Sequence, residues 1–265
     1  AISDTGVVIG GGVYDGRVST DLVEDTNEIV RAYGVAAIHP APREVLMIGL
    51  SMGAWAQVIA HLPGVERLTV VEINPGYLDL IPRYPEVASL LRNPKVEIVI
   101  DDGRRWLARH PERTFDVVVA NGTVHWRGHA THLLSREFLE RIRAHLAPGG
   151  VYHFNATWSP EVFKTAFTVF PHGWRFHSFA TVGDQPIVPD RDRWRAALET
   201  MRIDGRPVLD LAQPAHRARL EAVLGTIGDP EARADMALQS RESVLAGLEG
   251  VRVVTEDNMW TEWNP

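Results

Sequence analysis

The chain has 265 residues, of which 45% are hydrophobic and 23% are charged. This composition is that of a globular protein with a sizeable core, which excludes a disordered chain. The net charge of −7 argues against nucleic acid as a partner, because polyanion binders carry the opposite bias. The absence of cysteine excludes disulfides, thiolate metal sites and a cysteine nucleophile. No apolar run approaches the roughly 20 residues of a membrane helix.

The first forty residues predict a small element that precedes the main fold. Gly10–Gly16 (GGGVYDG) is typical of a strand followed by a tight turn. Leu22–Ala37 shows loose helical spacing, and Pro40 and Pro42 end that segment. The sequence begins at Ala1 without a methionine or a signal-peptide pattern. We therefore interpret it as a domain excised from a longer polypeptide.

From residue 44 onward, strand and helix patterns alternate along the chain. Short apolar runs predict strands at Val45–Gly49, Leu68–Ile73, Val96–Ile100, Phe115–Ala120 and Val151–Ala156. Helical spacing predicts helices at Ala54–Leu62, Arg104–Arg109 and Ser135–Leu146, the last with Ser135 as its N-cap. Such strands, covered on both faces, form a doubly wound, mostly parallel sheet. We predict an N-terminal β-hairpin and helix at 1–42, a nucleoside-binding domain at 43–188 and a helical C-terminal appendage at 189–265.

Three successive strand ends carry the motifs that predict a ligand site, because doubly wound sheets bind ligands beyond those ends. Gly49–Ala54 (GLSMGA) lets the backbone approach a ligand, although a structural turn explains it equally well. Glu72 has the spacing of a carboxylate that binds ribose hydroxyls, with a solvated carboxylate as the alternative. Asp102, within Asp101–Gly103, binds an adenine amino group or caps the next helix. Together these ends predict an adenosine site.

Residues 11–170 resemble the spermidine synthase (polyamine aminopropyltransferase) family. The matching segments are Asp15–Gly16, Val45–Gly53, Val71–Ile73, Asp101–Gly103, Phe115–Val118, Leu146–Gly150 and Phe170–Pro171. The resemblance implies a Rossmann-like S-adenosylmethionine-dependent methyltransferase fold. It also implies a bound S-adenosylmethionine, intact or decarboxylated, as the substrate, and no metal. The donor-binding positions it indicates are Gly49, Ser51, Met52, Gly53, Glu72, Ile73, Asp102, Gly103 and Asn121.

One stretch is similar to a particular branch of that family. Asn121–Arg127 (NGTVHWR), followed by Leu133–Phe138 (LLSREF), looks like the branch in which this domain is fused to membrane-spanning segments. Such a fusion would explain an excised domain. We expect a homo-oligomer in the cytoplasm, where the nucleoside is made, with tethering to the membrane in the full-length protein.

Several positions depart from the family pattern. Where the family has an aspartate that holds the donor's amine, this chain has Met52, and Ser19 stands in place of a glutamine. At the end of the fourth strand the family has two acids that orient and deprotonate the acceptor amine. Here those positions are Asn121 and Val124, and neither side chain can accept a proton.

A nucleophile that needs no base is the carboxylate of S-adenosylmethionine itself. Its attack on the carbon attached to sulfur closes a five-membered lactone and expels methylthioadenosine, which mainly requires the bent conformer to be held. We therefore predict a lyase that gives homoserine lactone, in which Asn121 positions the sulfonium tail and His125 and Arg127 are the other catalytic candidates. The alternatives are an aminopropyltransferase with His125 or His129 as base, and a non-catalytic nucleoside sensor.

Four residues are predicted to contact the substrate, namely Tyr14, Asp15, Ser19 and Trp126. Tyr14 and Asp15 lie where the family closes over the donor, although a plain hairpin turn is the simpler alternative. Trp126 can cover a flat or cationic group, or lie in the core. Arg127 can pair with a substrate carboxylate, or form a structural ion pair.

Three histidines, His125, His129 and His132, have spacings of four and three. On a helix that spacing would align them on one face, which is compatible with a metal site. No carboxylate lies within the run and Gly128 weakens any helix there. We therefore predict a loop that lines the site and no metal.

Overall fold

A computed structural model describes residues 1–10, 12–122, 130–228 and 237–258. The strands within them are β1 (Val7–Gly10), β2 (Val13–Arg17), β3 (Glu44–Ile48), β4 (Arg67–Glu72), β5 (Val96–Ile100), β6 (Phe115–Ala120), β7 (Leu146–Asn155), β8 (His172–Phe176), β9 (Phe179–Gly183), β10 (Arg202–Ile203), β11 (Arg206–Pro207) and β12 (Leu238–Ser240). The α-helices are α1 (Val30–Tyr33), α2 (Val35–Ile38), α3 (Ala54–His61), α4 (Gly76–Leu80), α5 (Gly103–Arg109), α6 (Arg136–Ala144), α7 (Pro160–Val169), α8 (Arg191–Thr200), α9 (Pro214–Gly225) and α10 (Arg241–Ala246). Short 3₁₀ turns lie at Ile81–Arg83, Ala88–Arg92 and Ala130–Leu133.

Eight strands form one sheet in the order β12-β8-β9-β7-β6-β3-β4-β5. The pairs from β7 to β5 are all parallel, and β9 runs antiparallel to both β7 and β8. The chain extends from β3 outward to β5 and then returns to β6 on the other side of β3. This confirms the predicted doubly wound, mostly parallel sheet. The separate antiparallel pair of β1 and β2 confirms the predicted N-terminal β element.

The local signals explain why these elements form. The last four residues of β3 are buried, as expected for a central strand that is covered on both faces. Helix α6 begins at the predicted cap, where the Ser135 hydroxyl accepts a hydrogen bond from the amide of Phe138. The buried face of that helix consists of Phe138, Leu139 and Ile142.

The C-terminal residues are helical in part, as predicted, and they also complete the main sheet. Strand β12 pairs with β8, although about 60 residues separate the two in sequence. Val254 is fully buried, and its amide donates to the Thr165 hydroxyl on α7. The division of the chain after residues 42 and 188 stays a prediction. No helix among the described residues has the length and apolar character needed to span a bilayer.

Candidate functional site

A crevice of about 390 Å³ lies beyond the carboxyl ends of β3, β4, β5 and β6. Its volume falls within the range of small-molecule sites. Adjacent strands β3 and β6 mark the point where the chain direction across the sheet reverses, which is where open α/β sheets bind ligands. The N-terminal hairpin of β1 and β2 forms the opposite wall through Gly10 and residues 15–17.

The loop after β3 is a tight turn with three left-handed residues. Gly49, Ser51 and Gly53 have φ angles of 90°, 48° and 83°. Glycine adopts such angles without steric cost, whereas Ser51 adopts its angle at a cost. Gly49, Ser51 and Met52 line the crevice, and Met52 is otherwise buried. Their contact with a donor stays a prediction. Gly53 is not among the lining residues. A β-carbon at Gly53 would lie 2.7 Å from the Leu90 side chain, so this position favours glycine for packing as well as for its φ angle.

The Glu72 carboxylate anchors this loop from the end of β4. One of its oxygens, Oε2, accepts hydrogen bonds from the amides of Leu50 at 2.5 Å and Ser51 at 3.3 Å. The other, Oε1, accepts from the amide of Asn74 at 2.7 Å. Since a carboxylate can accept about four hydrogen bonds, Oε1 retains room for one more. Glu72 lines the crevice, so its contact with ribose stays a prediction alongside this structural role.

Asp102 caps helix α5 at the end of β5. Its carboxylate accepts from the amide of Arg105 at 2.9 Å, which is the capping role that competed with adenine binding. Its neighbour Asp101 is paired with Arg105 and Arg109, and the hydrogen bond from Arg105 lowers the Asp101 pKa. Asp102 and Gly103 line the crevice, and a β-carbon on Gly103 would lie 2.8 Å from Ile48. The first position of α5 therefore needs glycine for packing.

Asp15 joins the N-terminal hairpin to the loop after β3 and to helix α4. The Ser51 hydroxyl donates to the Asp15 main-chain carbonyl at 2.7 Å. The Tyr77 hydroxyl, on α4, donates to the Asp15 carboxylate in a short hydrogen bond. Asp15 and Tyr77 both line the crevice. These contacts hold the main chain of Asp15 against the loop that follows β3 and its carboxylate against Tyr77 at the crevice wall.

The side-chain amide of Asn121 lies on the crevice wall, directly after β6. The Asn121 side-chain oxygen accepts a hydrogen bond from the side-chain nitrogen of Asn155 at 3.3 Å. Asn155 lies at the end of β7, and its own oxygen accepts from the Thr157 amide. An amide offers donors and an acceptor but cannot take a proton at neutral pH. Asn121 can therefore orient a substrate and cannot serve as a general base.

The remaining predicted site residues fall into three groups: residues that line the crevice, residues that lie away from it, and residues outside the described part of the chain. Ile73 lines the crevice with 70% of its surface exposed. Tyr14 is also exposed but does not line the crevice, and neither does Ser19, whose hydroxyl accepts from the Asp21 amide. Four predicted residues lie outside the described part of the chain, namely Trp126, Arg127 and the histidines 125 and 129.

Among the lining residues that the sequence analysis did not assign to the site are Arg17, Asn27 and Tyr77. Arg17 directly follows Asp15-Gly16, so an alternation argument along that strand could have found it. Asn27 is buried, and it holds the main chain of Arg17 from a position ten residues later. No local signal marks Asn27 or Tyr77, because the contacts that bring them to the crevice are tertiary.

Comparisons with known proteins agree with this arrangement. Residues 28–168 match the family model described as the spermine/spermidine synthase domain. A polyamine aminopropyltransferase of Desulforudis audaxviator is 31% identical over 169 residues, which are 60% of this chain and 60% of that protein. Spermidine synthase 1 of Pisum sativum is 33% identical over 113 residues, which are 42% of this chain and 34% of the relative. The matches therefore span less than two thirds of either relative.

Solved structures support the fold. A crystal structure of a spermidine synthase in complex with the transition-state analogue AdoDATO aligns with a TM-score of 0.61 at 18% sequence identity. The alignment covers 84% of this chain and 81% of that one. The likeness confirms the predicted Rossmann-like methyltransferase fold.

Proposed function

Because the chain belongs to the spermine/spermidine synthase family, we propose that it is an aminopropyltransferase that uses decarboxylated S-adenosylmethionine as donor and an amine as acceptor. The observation that supports this most is the family match over residues 28–168, since that range holds all four strand ends at the crevice. The same strand ends carry the motifs of the predicted adenosine site.

The nucleoside part of the donor would lie along the carboxyl ends of β4 and β5. Glu72 would accept a ribose hydroxyl at the vacant side of its Oε1 atom. Asp102 and Gly103, at the end of the next strand, would face the adenine, with Ile73 against the ring. The sulfonium would then lie beside Met52, at the loop after β3.

The transfer forms one bond and breaks one. The acceptor nitrogen attacks the propyl carbon attached to sulfur, the C–N bond forms, and the electron pair of the C–S bond returns to sulfur. Neutral methylthioadenosine leaves. The attacking amine loses one proton, which a base must accept because the amine is protonated at neutral pH.

We assign the proton-accepting role to Asp15. Of the crevice carboxylates that the structure describes, Glu72 is bound by three main-chain amides, Asp101 is paired with two arginines and Asp102 caps a helix. The Asp15 carboxylate instead accepts a hydrogen bond from the Tyr77 hydroxyl, and the Asp15 main chain contacts the loop beside which the sulfonium would lie. The predicted alternatives for this role, His125 and His129, lie outside the described residues.

A second candidate is the intramolecular lyase, and the amide at Asn121 favours it. The lyase needs no base at the end of β6, because the donor's own carboxylate attacks. In this reaction a C–O bond forms, the same C–S bond breaks, and homoserine lactone leaves with methylthioadenosine. Asn121 would position the sulfonium tail, and His125 and Arg127 stay its other predicted catalytic residues.

Release of methylthioadenosine from the purified chain, followed by chromatography, tests both candidates. Aminopropyl transfer predicts release only when decarboxylated S-adenosylmethionine and an amine such as putrescine are both present. The lyase predicts release from S-adenosylmethionine alone. Asp15→Asn removes the assigned base with little change in shape, so it should slow transfer at least about 100-fold and leave lactone formation nearly unchanged.

Binding of methylthioadenosine, measured by calorimetry, separates loss of turnover from loss of the site. Binding without turnover of either donor would overturn both enzymatic candidates in favour of the nucleoside sensor. Absence of binding would overturn the site itself. Homo-oligomer formation, cytoplasmic location and attachment to membrane-spanning segments stay predictions.

A further inference from the structure

The side-chain amide of Asn121 has a fixed orientation in the crevice wall. The main-chain N–H of Thr157 donates to Asn155 Oδ1 at 2.9 Å. Because a main-chain N–H can only donate, this bond leaves the NH₂ group of Asn155 to donate to Asn121 Oδ1 at 3.3 Å. The oxygen of Asn121 is therefore engaged. Its own NH₂ group has no acceptor among the described residues, so this group is the one that a ligand can use.

The turn after β7 supports this pair of amides at a conformational cost. Thr157 and Trp158 follow each other in the left-handed conformation, with φ angles of 54° and 63°. β-Branched and bulky residues rarely adopt this conformation, and those that do are concentrated at functional sites. The N–H that orients Asn155 belongs to this turn. The strained backbone is thus part of what fixes the amide of Asn121.

The side of the crevice formed by β6 and β7 has no carboxylate of its own. Residues 117–136, which include the end of β6, and residues 141–160, which include the end of β7, contain no aspartate or glutamate. Glu28 lies outside the described crevice lining and pairs with Arg31 at 2.9 Å. The crevice carboxylates at the ends of β4 and β5 lie on the side proposed for the nucleoside.

The acceptor of the proposed transfer would extend toward this side. Its reacting nitrogen would lie by the sulfonium, at the loop after β3, and β6 is the next strand of the sheet, about 4.8 Å away. An ammonium group at the other end would meet the NH₂ group of Asn121, and both groups are donors. An ammonium without a carboxylate is costly to bury. A hydroxyl oxygen, in contrast, accepts a hydrogen bond from that NH₂ group.

We infer that the preferred acceptor is an amine whose other end carries an uncharged hydroxyl, and that Asn121, oriented by Asn155, binds the hydroxyl oxygen. The inference rests on the proposed aminopropyl transfer and specifies the class of its acceptor. A diamine such as putrescine remains a substrate, because its second amine can bind after it loses a proton. That deprotonation makes the diamine the poorer acceptor at neutral pH.

Two acceptors of equal length test the inference. 4-Aminobutan-1-ol and putrescine differ only at one end, which is a hydroxyl or an ammonium. We compare their kcat/KM for release of methylthioadenosine from decarboxylated S-adenosylmethionine, and their affinities by calorimetry in the presence of methylthioadenosine. The variants are Asn121→Asp, which puts a carboxylate on the crevice wall, and Asn155→Asp, which acts through Asn121. Asn93→Asp is the control, because Asn93 lies outside the described lining and its Oδ1 accepts from the Lys95 amide.

The wild-type chain should favour the amino alcohol over putrescine at least about tenfold, as expected when one of the two ligands leaves a hydrogen bond unmade. Asn121→Asp should reverse the preference. Asn155→Asp should abolish it, because an aspartate can only accept, so that Asn121 turns its NH₂ group toward residue 155 and its oxygen toward the ligand. Asn93→Asp should leave the preference unchanged.

Equal or better use of putrescine by the wild-type chain would overturn the inference, as would a preference that survives in Asn155→Asp. Binding of neither amine would also overturn it. If S-adenosylmethionine bound more tightly than its decarboxylated form, and Asn155→Asp removed the difference, the NH₂ group of Asn121 would belong to a donor carboxylate and the assignment to the acceptor would be wrong.

The two readouts separate this inference from the proposed function. Absence of turnover with either amine, together with the calorimetric preference, would overturn the proposed transfer but not the binding preference. The affinity for methylthioadenosine should be unchanged in all variants and shows that they are folded. If Asn121→Asp does not fold, the wild-type preference and Asn155→Asp still decide the question.

Discussion

The Ser51 hydroxyl donates a hydrogen bond to the main-chain carbonyl of Asp15 across 2.7 Å. This contact joins the N-terminal hairpin to the glycine-rich loop after β3. Each of these two walls of the crevice therefore helps to hold the other in position. Ser51 makes it from a left-handed conformation, with φ at 48°. A serine in that conformation costs about 1 kcal/mol or more relative to glycine.

Two substitutions at Ser51 separate the hydrogen bond from the backbone conformation. Both Ser51→Gly and Ser51→Ala remove the hydroxyl, but only glycine relieves the left-handed strain. We expect Ser51→Ala to be less stable than Ser51→Gly by about 1 kcal/mol in urea denaturation. Amide exchange in residues 13–17 should be faster than in the wild type in both variants. Equal stabilities would contradict the strain, and unchanged exchange would contradict the link between the walls.

Replacing Glu72 by glutamine should destabilise the loop after β3. The Glu72 carboxylate accepts three main-chain N–H bonds, and a glutamine would turn an NH₂ donor toward at least one of them. We expect a loss of about 1–3 kcal/mol in the free energy of unfolding and weaker binding of methylthioadenosine. Glu97→Gln, on the exposed surface of neighbouring β5, makes the same chemical change and should stay within about 0.5 kcal/mol of the wild type. Similar effects of the two substitutions would argue against the anchoring role.

Removing the Tyr152 hydroxyl should stabilise the protein. Tyr152 is fully buried, and its hydroxyl has no hydrogen-bond partner among the described residues. Burial also raises the pKa of this phenol, so the hydroxyl stays neutral. We expect Tyr152→Phe to raise the free energy of unfolding by about 1 kcal/mol, because it removes an unpaired polar group from the core.

Tyr33 provides the matched control for that substitution. It is equally buried, but its hydroxyl donates to the Thr20 carbonyl at 2.8 Å. Tyr33→Phe should lower the free energy of unfolding by about 1 kcal/mol, since it leaves that carbonyl without its donor. Thermal denaturation measures both, and shifts of the same sign would contradict the explanation.

Acid should destabilise the protein through His153. The imidazole is buried between the Thr181 hydroxyl and the Arg31 carbonyl, and burial lowers the His153 pKa to about 3. The unfolded chain, with an ordinary pKa near 6.5, therefore binds a proton between these values while the folded chain does not. The contribution to stability is complete above about pH 6.5 and is lost as the pH falls toward 3, at up to about 1.4 kcal/mol per pH unit.

Urea denaturation at several pH values checks this expectation. The buried His39 has a pKa lowered by desolvation and adds to the same trend. A His153→Gln variant should therefore show a smaller slope below pH 6.5, and His39 should account for part of the remainder. An unchanged slope in that variant would show that other groups cause the acid sensitivity.

The sequence by itself determined the parallel part of the sheet, the strand ends at the crevice and the family of the fold, but it did not indicate the antiparallel strands β8, β9 and β12. These features follow from local patterns, because apolar runs form buried strands wherever they occur and a serine such as Ser135 caps a helix through its own neighbours. Strand β6 at Phe115–Ala120 has the predicted bounds for that reason. The carboxyl ends of parallel strands must then meet at one edge, so the position of the crevice also follows.

Only the tertiary structure decided what the crevice side chains do. Asp15 and Tyr77 are 62 residues apart, and their hydrogen bond depends on how the hairpin docks on the sheet. The loop amides donate hydrogen bonds to the Glu72 carboxylate only because of the three-dimensional course of the turn that contains Ser51. The charge of a side chain follows from the sequence, but the fold decides which groups lie close enough to neutralise that charge. That is why Arg17, an ordinary basic residue in the sequence, becomes part of the crevice wall.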